Sequence, residues 1–334
     1  MTGWQQWIGA VGDGDAARLW HSLLHQIRDA ALDQPAAGIH DHVDPLLDCR
    51  GPSSRQEVLG VLFYGSCLLT QTQTASSFPD FYVLVRDLHR FHTSRWHALM
   101  NHMLPPNVYL FPTVPDHAQP RCKYCVISID QFRRETSSAA HDIHHLGRFS
   151  KRVALVYHRD EGVVDAVVQG MLQAMLTLVP HTLSRLPRRF TLDQFVLQQL
   201  GLSYAGEQRV HEPTKLQALM QGALPYYRRI HTDVLALHGL RFHAPLRQDG
   251  GYVQGAIRAS HRHRTERFLR RSRRRSMLRW PKYILTVDDW VDYLLDKLQR
   301  HHGVKLELTS RQRRHPLLLG WPVYLKMRWR GIVR

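Results

Sequence analysis

The stretch VLGVLFYGSCLLTQTQTASSFPDFYVLV, residues 58–85, contains two apolar runs, each of the length of a buried β-strand. The first run ends at Tyr64, Gly65 and Ser66, and a polar loop follows it. The second run comes directly after Pro79 and Asp80. The spacing predicts two strands, with a Gly-Ser turn at the end of the first and a carboxylate at the start of the second.

Such a pair of strands suits the binding of a nucleoside triphosphate and its metal ion. Backbone N–H groups and a hydroxyl at the turn donate to phosphate oxygens. A carboxylate is the kind of ligand that Mg²⁺ takes in proteins. The same residue types are also common at ordinary turns and strand starts, so a purely structural interpretation stands beside this one.

The rest of the chain divides into regions of different character. Residues 1–50 have helical spacing and predict a helical cover for the following sheet. Residues 51–160 alternate strands with short helices, which is the pattern of a small α/β domain. Residues 161–240 read as an all-helical or winged-helix-like second domain, and residues 241–334 form a basic helical region. The predicted fold class is therefore α/β + α.

Local signals place several of these elements. Strands are predicted at 107–111, 123–129 and 153–157. Asp130 is the predicted N-cap of a helix that follows the second of them. Thr191, with Gln194 three residues later, is the signature of a capping box at the start of a helix.

Positive charge is concentrated near the C-terminus. Residues 258–334 carry 21 Lys and Arg against 6 Asp and Glu, a net charge of +15, whereas residues 1–257 carry 24 against 22, a net of +2. Nine arginines lie between Arg262 and Arg279, and the segment 316–330 mixes apolar, aromatic and basic residues. This composition suits a solvated helix face, a nucleic-acid contact or an anionic lipid surface, and aromatic residues beside the charge favour the lipid.

Composition also indicates the compartment. The first twenty residues contain acidic side chains and no continuous apolar core, which argues against a secretory signal or a transit peptide. The most apolar stretch, 163–179, is interrupted by Asp165, Gln169 and Gln173 and is too short and polar to span a membrane convincingly. With four cysteines in 334 residues, the chain is expected to be cytoplasmic, attached peripherally to the inner face of a membrane.

The turn and the carboxylate resemble the phosphate-binding pattern of polymerase beta-type nucleotidyltransferases. In that superfamily a second acid follows two residues after the first, and Tyr82 stands there in this chain. Asp87 is the nearest acidic residue in sequence. The second protein ligand of the metal is thus undetermined by the sequence.

Several motifs, in order, resemble the mitochondrial-type CDP-diacylglycerol synthases, a family of phosphatidate cytidylyltransferases (the translocator-maintenance family) with bacterial members. The resemblance covers roughly residues 58–230. The motifs are Tyr64-Gly65-Ser66, Pro79-Asp80-Phe81, Lys123-Tyr124-Cys125-Val126-Ile127-Ser128, Gly147-Arg148 with Lys151 and Val153, and Leu202-Ser203-Tyr204-Ala205-Gly206-Glu207-Gln208-Arg209.

The resemblance implies a polymerase beta-type domain, then a winged-helix-like domain, with Mg²⁺, CTP and phosphatidate. It assigns the metal to Asp80, catalysis to Asp80, Lys123 and Arg148, nucleotide binding to Tyr64, Gly65, Ser66 and Lys123, and the second-domain side of the cleft to Ser203, Tyr204, Glu207 and Arg209. A lysine suits neutralisation of the triphosphate charge, and a guanidinium suits a phosphate group.

The chain departs from the family pattern at some positions. Cys67 and Cys125 replace glycines, Glu207 replaces an aspartate, and residues 101–109 replace a segment on the substrate side. Cys122 and Cys125 lie three apart on a predicted strand and therefore point to opposite faces, which argues against a metal or redox site. His141, His144 and His145, the densest histidine cluster, are expected at the surface.

The sequence leads to a CTP:phosphatidate cytidylyltransferase that docks on an anionic membrane and has no predicted protein partner. One alternative is a nucleotidyltransferase acting on RNA or a small molecule, with nucleic acid as the partner of the basic region. A third hypothesis is a non-catalytic basic adaptor with a degenerate nucleotidyltransferase fold, which Tyr82 supports best.

Overall fold

The computed structural model describes residues 3–286, apart from residues 13, 34, 36–37, 71–78, 112–121, 208–212 and 256–258. The strands are β1 Val58–Tyr64, β2 Asp80–Val85, β3 Asn107–Phe111, β4 Cys122–Ser128, β5 Ala154–His158, β6 Arg189–Phe190, β7 Leu246–Gln248 and β8 Gly251–Val253. The helices are α1 Gly3–Val11, α2 Asp15–Leu32, α3 Val43–Leu47, α4 Pro52–Glu57, α5 Ser66–Thr70, α6 Leu88–Phe91, α7 Arg95–Met103, α8 Ile129–Glu135, α9 Ile143–Phe149, α10 Glu161–Leu183, α11 Leu192–Ala205, α12 Pro213–Gly222, α13 Leu224–Phe242 and α14 Ala259–Thr286.

A five-stranded mixed sheet with the strand order β3-β4-β2-β1-β5 forms the centre of the first half of the chain. β2 and β4 are parallel, and the other neighbours are antiparallel. The two strands predicted from residues 58–85 therefore pair with each other, with Tyr64 opposite Asp80. The predicted combination of an α/β sheet with many helices is confirmed, while the polymerase beta-type assignment stays a prediction.

Both faces of this sheet are buried, because the side chains of each strand alternate between two hydrophobic clusters. Leu62, Tyr82 and Ile127 belong to the cluster that includes α10, whereas Val61 and Val83 belong to the cluster on the opposite face. Continuous apolar strands such as β1 are typical of a sheet that is covered on both sides. The predicted opposite orientation of the two β4 cysteines is confirmed, since Cys125 lies in the first cluster and Cys122 in the second.

The long apolar helix α10 packs against α2, α9, α11 and α13. It begins after Asp160, whose side chain accepts a hydrogen bond from the N–H of Val163 at 3.0 Å. Among the described residues it is the one helix long and apolar enough to cross a membrane, but most of it is buried inside the protein. Its apolar character is thus explained by its position in the core, and α2 supplies part of the helical cover predicted for residues 1–50.

Two predicted helix starts have different outcomes. The capping box at Thr191 and Gln194 is confirmed at the start of α11. The N-cap of α8 is Ser128, so the prediction of Asp130 is wrong. The Ser128 hydroxyl accepts from the N–H of Gln131, and the Gln131 side chain accepts from the N–H of Ser128, which satisfies two backbone donors at once.

The second half of the chain contains helices and one small antiparallel sheet. β6, β7 and β8 form it in the order β6-β8-β7, and Phe190 stacks on Tyr252 across the pair β6–β8. β6 lies within residues 161–240, so this range is not purely helical. The sequence did not predict this strand, because two residues leave almost no alternating pattern. The winged-helix-like assignment and the four predicted domain boundaries stay predictions.

The arginine run forms the helix α14, which packs against α9, α10 and β3. The predicted amphipathic helix at 287–301 and the aromatic and basic segment at 316–330 lie outside the described residues. The described part of the basic region thus contains the short strands β7 and β8 and the arginine-rich helix α14, which lies against the folded body.

Candidate functional site

The Gly-Ser turn lies directly against the first residue of β2. Gly65 has a φ of +96°, a value that L side chains rarely adopt. A Cβ atom at Gly65 would lie 3.1 Å from Oδ2 of Asp80. Glycine is thus needed both for the turn and for the approach of the carboxylate, while the exposed Ser66 begins α5.

Asp80 and Lys123 form an ion pair across the parallel strands β2 and β4, where they stand in register. Their side chains are 25% and 29% exposed, so the pair remains accessible to a ligand. The structure therefore brings together the turn, the proposed metal ligand and the proposed phosphate-neutralising lysine at one edge of the sheet.

The residue two positions after the carboxylate explains why a second acid is missing from β2. Tyr82 is fully buried, and its ring packs against Tyr64, His145 and Phe149 at centroid distances of 4.9–5.9 Å. A carboxylate in this aromatic cluster would lose its hydration without compensation. At this position Tyr82 therefore serves the hydrophobic core and not a metal ion.

Asp87 is ruled out as the missing ligand. It caps α6, where its Oδ1 accepts from the N–H groups of His89 and Arg90 at 2.6 and 3.1 Å. It follows the far end of β2, and that strand is roughly 17 Å long at about 3.3 Å per residue. The cap and the distance both separate Asp87 from the turn.

A metal ion at this edge would depend on Asp80 and on its substrate. The described residues contain no group of three or more potential metal ligands. Mg²⁺ commonly binds through one or two carboxylates while substrate phosphates and water complete its shell. A single, partly exposed Asp80 beside the Gly65 turn fits that mode of binding.

Arg148 and Glu207 form the second half of the site, although 59 residues separate them. Arg148 lies near the end of α9, and Glu207 follows the end of α11. Both Nη atoms of Arg148 donate to the Glu207 carboxylate, and Nη1 also donates to the carbonyl of His144 at 2.7 Å. Three of the five N–H groups of a guanidinium are thus engaged, which leaves two without a partner among the described residues.

The pair stays ionised despite its burial. Burial is the largest single effect and raises the pKa of Glu207, but Arg148 and His144 together outweigh it and hold that pKa well below its usual range. Burial is likewise the largest single effect on Arg148 and lowers its pKa, but Glu207, Tyr82 and Tyr64 together raise that pKa well above its usual value. The sequence anticipated a role for each residue but not their partnership.

The histidine cluster is not at the surface, and that prediction is wrong for two of its members. His144 and His145 are 5% and 0% exposed, whereas the side chain of His141 is 47% exposed. Nδ1 of His144 donates to Glu207 at 2.9 Å, and the ring of His145 lies against Tyr82 and Phe149. Burial lowers the pKa of His144 to about 3, so the ring is neutral beside the ion pair.

Helices α9 and α11 cross with almost no space between them. A Cβ atom at Gly147 would lie 2.4 Å from Cβ of Ser203. Lys151, just after α9, donates to Oγ of Ser203 at 3.1 Å, and its ammonium group lies 5.2 Å from the ring centroid of Tyr204. The structure thus adds Lys151 to the site; its place in the Gly147–Val153 motif was the available signal.

Tyr64 connects the two halves electrostatically. Its hydroxyl lies 3.5 Å from Sγ of Cys125. Burial raises the pKa of Tyr64 well above its usual value; Cys125, Asp80 and Tyr82 raise it further, and Arg148 lowers it. The Tyr64 ring also packs against Tyr82, whose ring contacts Phe149 next to Arg148, so the turn and the arginine-bearing helix lie on one face of the sheet.

Helix α14 has two different basic faces. Arg279 and Lys282 are buried, and Lys282 donates to the carbonyl groups of Leu104 and Pro106. Other basic side chains of the same helix point outward and continue into two exposed apolar residues. This outward stripe consists of Arg267, Arg270, Arg271, Arg274, Met277 and Leu278, of which the exposed Arg271 also donates to the carbonyl of Ala140 at 3.1 Å.

Most of the predicted site residues are thus gathered on one face of the large sheet. Arg209 is the exception, because residues 208–212 lie outside the described part of the chain. The gathered groups are cationic and hydrogen-bonding, with one accessible carboxylate at Asp80. This set suits a ligand that carries several phosphate oxygens.

Comparison with known proteins agrees with that chemistry. The model of a family described as phosphatidate cytidylyltransferase, mitochondrial, matches residues 55–270. No curated protein matches the chain. The matched range includes both halves of the site and the first part of α14.

Proposed function

This chain belongs to the family of mitochondrial phosphatidate cytidylyltransferases, and from that membership we propose that it makes CDP-diacylglycerol and pyrophosphate from CTP and phosphatidate. One structural observation carries the proposal to this chain. The Asp80–Lys123 pair lies on the sheet face that α9 covers, because Asp80 alternates with Tyr82, whose ring packs against Phe149 of α9, and α9 also carries Arg148. Cationic groups of the sheet and of α9 therefore lie on one face.

The reaction needs no strong general base. The phosphate of phosphatidate is anionic near neutral pH, and one of its oxygens attacks the α-phosphorus of CTP. A new P–O bond forms in line with the bond to the β-phosphate; that bond breaks, and pyrophosphate leaves with the electron pair. The histidines described at the site are buried and neutral, which agrees with catalysis by positioning and charge neutralisation.

Each half of the site has a separate part in this proposal. The Gly65 turn and Lys123 bind the triphosphate of CTP, where the ammonium group offsets its charge. Arg148, held by Glu207, offers its two remaining N–H groups to the phosphate of the lipid or to the departing pyrophosphate. Asp80 would hold Mg²⁺ together with phosphate oxygens, and that ion would add charge neutralisation during the transfer.

The lipid substrate requires contact with a membrane. The outward stripe of α14 combines four arginines with two exposed apolar side chains, a combination that binds anionic lipid through charge and shallow insertion. In this proposal the protein is cytoplasmic and peripherally attached to the inner face of a membrane.

The test is the formation of a labelled lipid. Purified protein is incubated with α-labelled CTP, phosphatidate in anionic liposomes and Mg²⁺, and the organic phase is analysed for CDP-diacylglycerol. Asp80→Asn and Lys123→Met are expected to lower the rate by about 100-fold or more, since each removes a charge that acts on the transferring phosphate. Asp87→Asn is the matched control, because asparagine caps a helix as well as aspartate does.

Three outcomes would contradict the proposal. A folded, liposome-binding protein that forms no labelled lipid would exclude this reaction. Label transferred to RNA or to a small acceptor would favour a different nucleotidyltransferase. Equal activity of the Asp80 and Asp87 variants would place the chemistry elsewhere in the chain.

A further inference from the structure

A buried carboxylate joins the arginine helix α14 to the helix that carries Arg148. Asp142 is 0% exposed and immediately precedes α9. Its Oδ1 accepts from the N–H of His144 at 2.9 Å, while Oδ2 accepts from Nε of Arg275 at 2.8 Å and from Nη2 of Arg279 at 2.7 Å. One side chain thus caps α9 and neutralises two arginines of α14.

Helix α14 also holds the segment that leads to Glu207. Nε of Arg273 donates to the carbonyl of Ala205 at 2.9 Å, and the hydroxyl of Ser276 donates to the carbonyl of Glu207 at 3.3 Å. The hydroxyl of Ser272 accepts from the N–H of Ile143 at 3.2 Å. The same face of α14 therefore bonds to the start of α9 and to the end of α11.

These contacts surround Gly206, where the backbone packs too closely for any side chain. A Cβ atom at Gly206 would lie 2.4 Å from Ile143 and 3.1 Å from the hydroxyl of Ser272. The start of α9, the end of α11 and the inner face of α14 therefore touch at one point. Since Arg148 and Glu207 belong to α9 and to the end of α11, their alignment depends on this three-way junction.

The charge at the junction is permanent at physiological pH. Burial raises the pKa of Asp142, but Arg279, His144 and Arg275 together outweigh it and bring that pKa to about 2. Removal of one partner from a buried ion pair leaves an uncompensated charge, so the junction is sensitive to the loss of Asp142.

We propose that Asp142 is a positioning residue for the Arg148–Glu207 pair, and that it acts by clamping Arg275 and Arg279 of α14 to the start of α9. The proposal rests on the phosphatidate cytidylyltransferase activity proposed above. The bonds of α14 to the start of α9 and to the segment 205–207 have their partners in the arginine half of the site. The clamp therefore acts on the arginine half of the site and leaves the nucleotide half in place.

The experiment compares Asp142→Asn and Arg275→Gln with the control Arg262→Gln, an exposed arginine in the first turn of α14. Asparagine keeps the oxygen that caps α9 but has an amide donor in place of Oδ2, so both the charge and the acceptor for Arg275 and Arg279 are removed. A soluble short-chain substrate, dihexanoyl phosphatidate, is used so that membrane docking does not contribute. For the first two variants kcat is expected to fall by about 10- to 100-fold, with the KM for CTP within about threefold of wild type.

Hydrogen exchange provides a readout that does not depend on activity. Asp142→Asn is expected to speed amide exchange in residues 143–149 and 203–207, while exchange in 58–64 stays at its wild-type rate. The double variant Asp142→Asn/Arg275→Gln is expected to have nearly the same kcat and exchange rates as Asp142→Asn alone. The reason is that both substitutions remove the same Arg275–Asp142 interaction. Faster exchange with no product from wild-type protein would support the clamp and refute the activity.

Other results would overturn the clamp. If Asp142→Asn keeps the wild-type kcat and exchange pattern, Asp142 does not position the pair. If Arg262→Gln is as damaging as Arg275→Gln, the effect belongs to the net charge of the helix. If exchange rises equally in 58–64 and 143–149, Asp142 serves general stability only.

Discussion

Acidification from pH 7 to pH 5 is expected to unfold this protein, because its core contains several histidines that are neutral when folded. Burial is the first cause of the lowered pKa in each of five of them. The pKa falls to about 3 for His92, His144 and His231 and to about 4 for His181 and His238.

The expected loss of stability follows from proton linkage. Each ring has a reference pKa of 6.5 in the unfolded chain and a depressed pKa in the folded protein, so only the unfolded chain takes up a proton between pH 6.5 and about 4. Full stability is present above pH 6.5 and is lost as the pH falls towards the folded pKa. From pH 7 to pH 5 this amounts to roughly 2 kcal/mol per histidine and on the order of 9 kcal/mol for five. A typical domain has about 5–15 kcal/mol in total.

The assay is guanidinium unfolding, monitored by tryptophan fluorescence at intervals between pH 7 and pH 5. In His231→Gln the new amide reproduces the donor that Nε2 of His231 supplies to Gln199 at 2.7 Å. This variant is expected to lose about 2 kcal/mol less than wild type across the interval. The exposed His21→Gln is the control and is expected to follow wild type. A free energy of unfolding that is flat down to pH 5.5, or the same pH slope in both variants, would refute the reasoning.

Further predictions concern close approaches and the metal. Gly65→Ala should lower the free energy of unfolding by about 1 kcal/mol or more, because alanine is strained in the left-handed backbone region. It should also lower the turnover number for cytidylyl transfer, because the new Cβ displaces Asp80. Unchanged turnover would contradict the close approach of Asp80 to the turn. Gly147→Ala should lower the free energy of unfolding by about 1–3 kcal/mol, because its Cβ atom meets Ser203. The control Gly201→Ala should be neutral or stabilising, because its Cβ atom would lie 3.8 Å from the nearest atom, in Leu216. Equal free energies of unfolding for the two variants would contradict this packing. EDTA should abolish product formation and added Mg²⁺ should restore it, and full activity in EDTA would exclude a metal at this site.

The local part of this protein was readable from its residues. The apolar runs of 58–64 and 80–85 predict two buried strands, and both are present. The Gly65 turn and the carboxylate of Asp80 were expected together, and the register of β1 and β2 places them in contact. The Thr191 capping box is also confirmed. The strands and the cap depend on neighbours within a few residues, and the Gly65–Asp80 contact needs only the pairing of two strands that follow each other in the chain.

The arginine half of the site required the tertiary structure. Arg148 lies on α9 and Glu207 follows the end of α11, and nothing in the residues around Glu207 shows that it pairs with an arginine 59 residues away. His144 and His145 look like surface residues in an apparently polar segment, yet the packing of α9 against α10 and α11 buries them. Burial of this kind is set by helix crossings, which have no local signature.

The sequence by itself thus determined the strands, the Gly65–Asp80 turn and the concentration of positive charge in the last third of the chain. Only the tertiary structure decided how that charge is divided. Along α14, Arg270 and Arg274 face outward, while Arg275 and Arg279 turn inward to Asp142, more than 130 residues away. The physical reason is that a buried arginine is stable only where the fold supplies a carboxylate, and that position depends on contacts between distant parts of the chain.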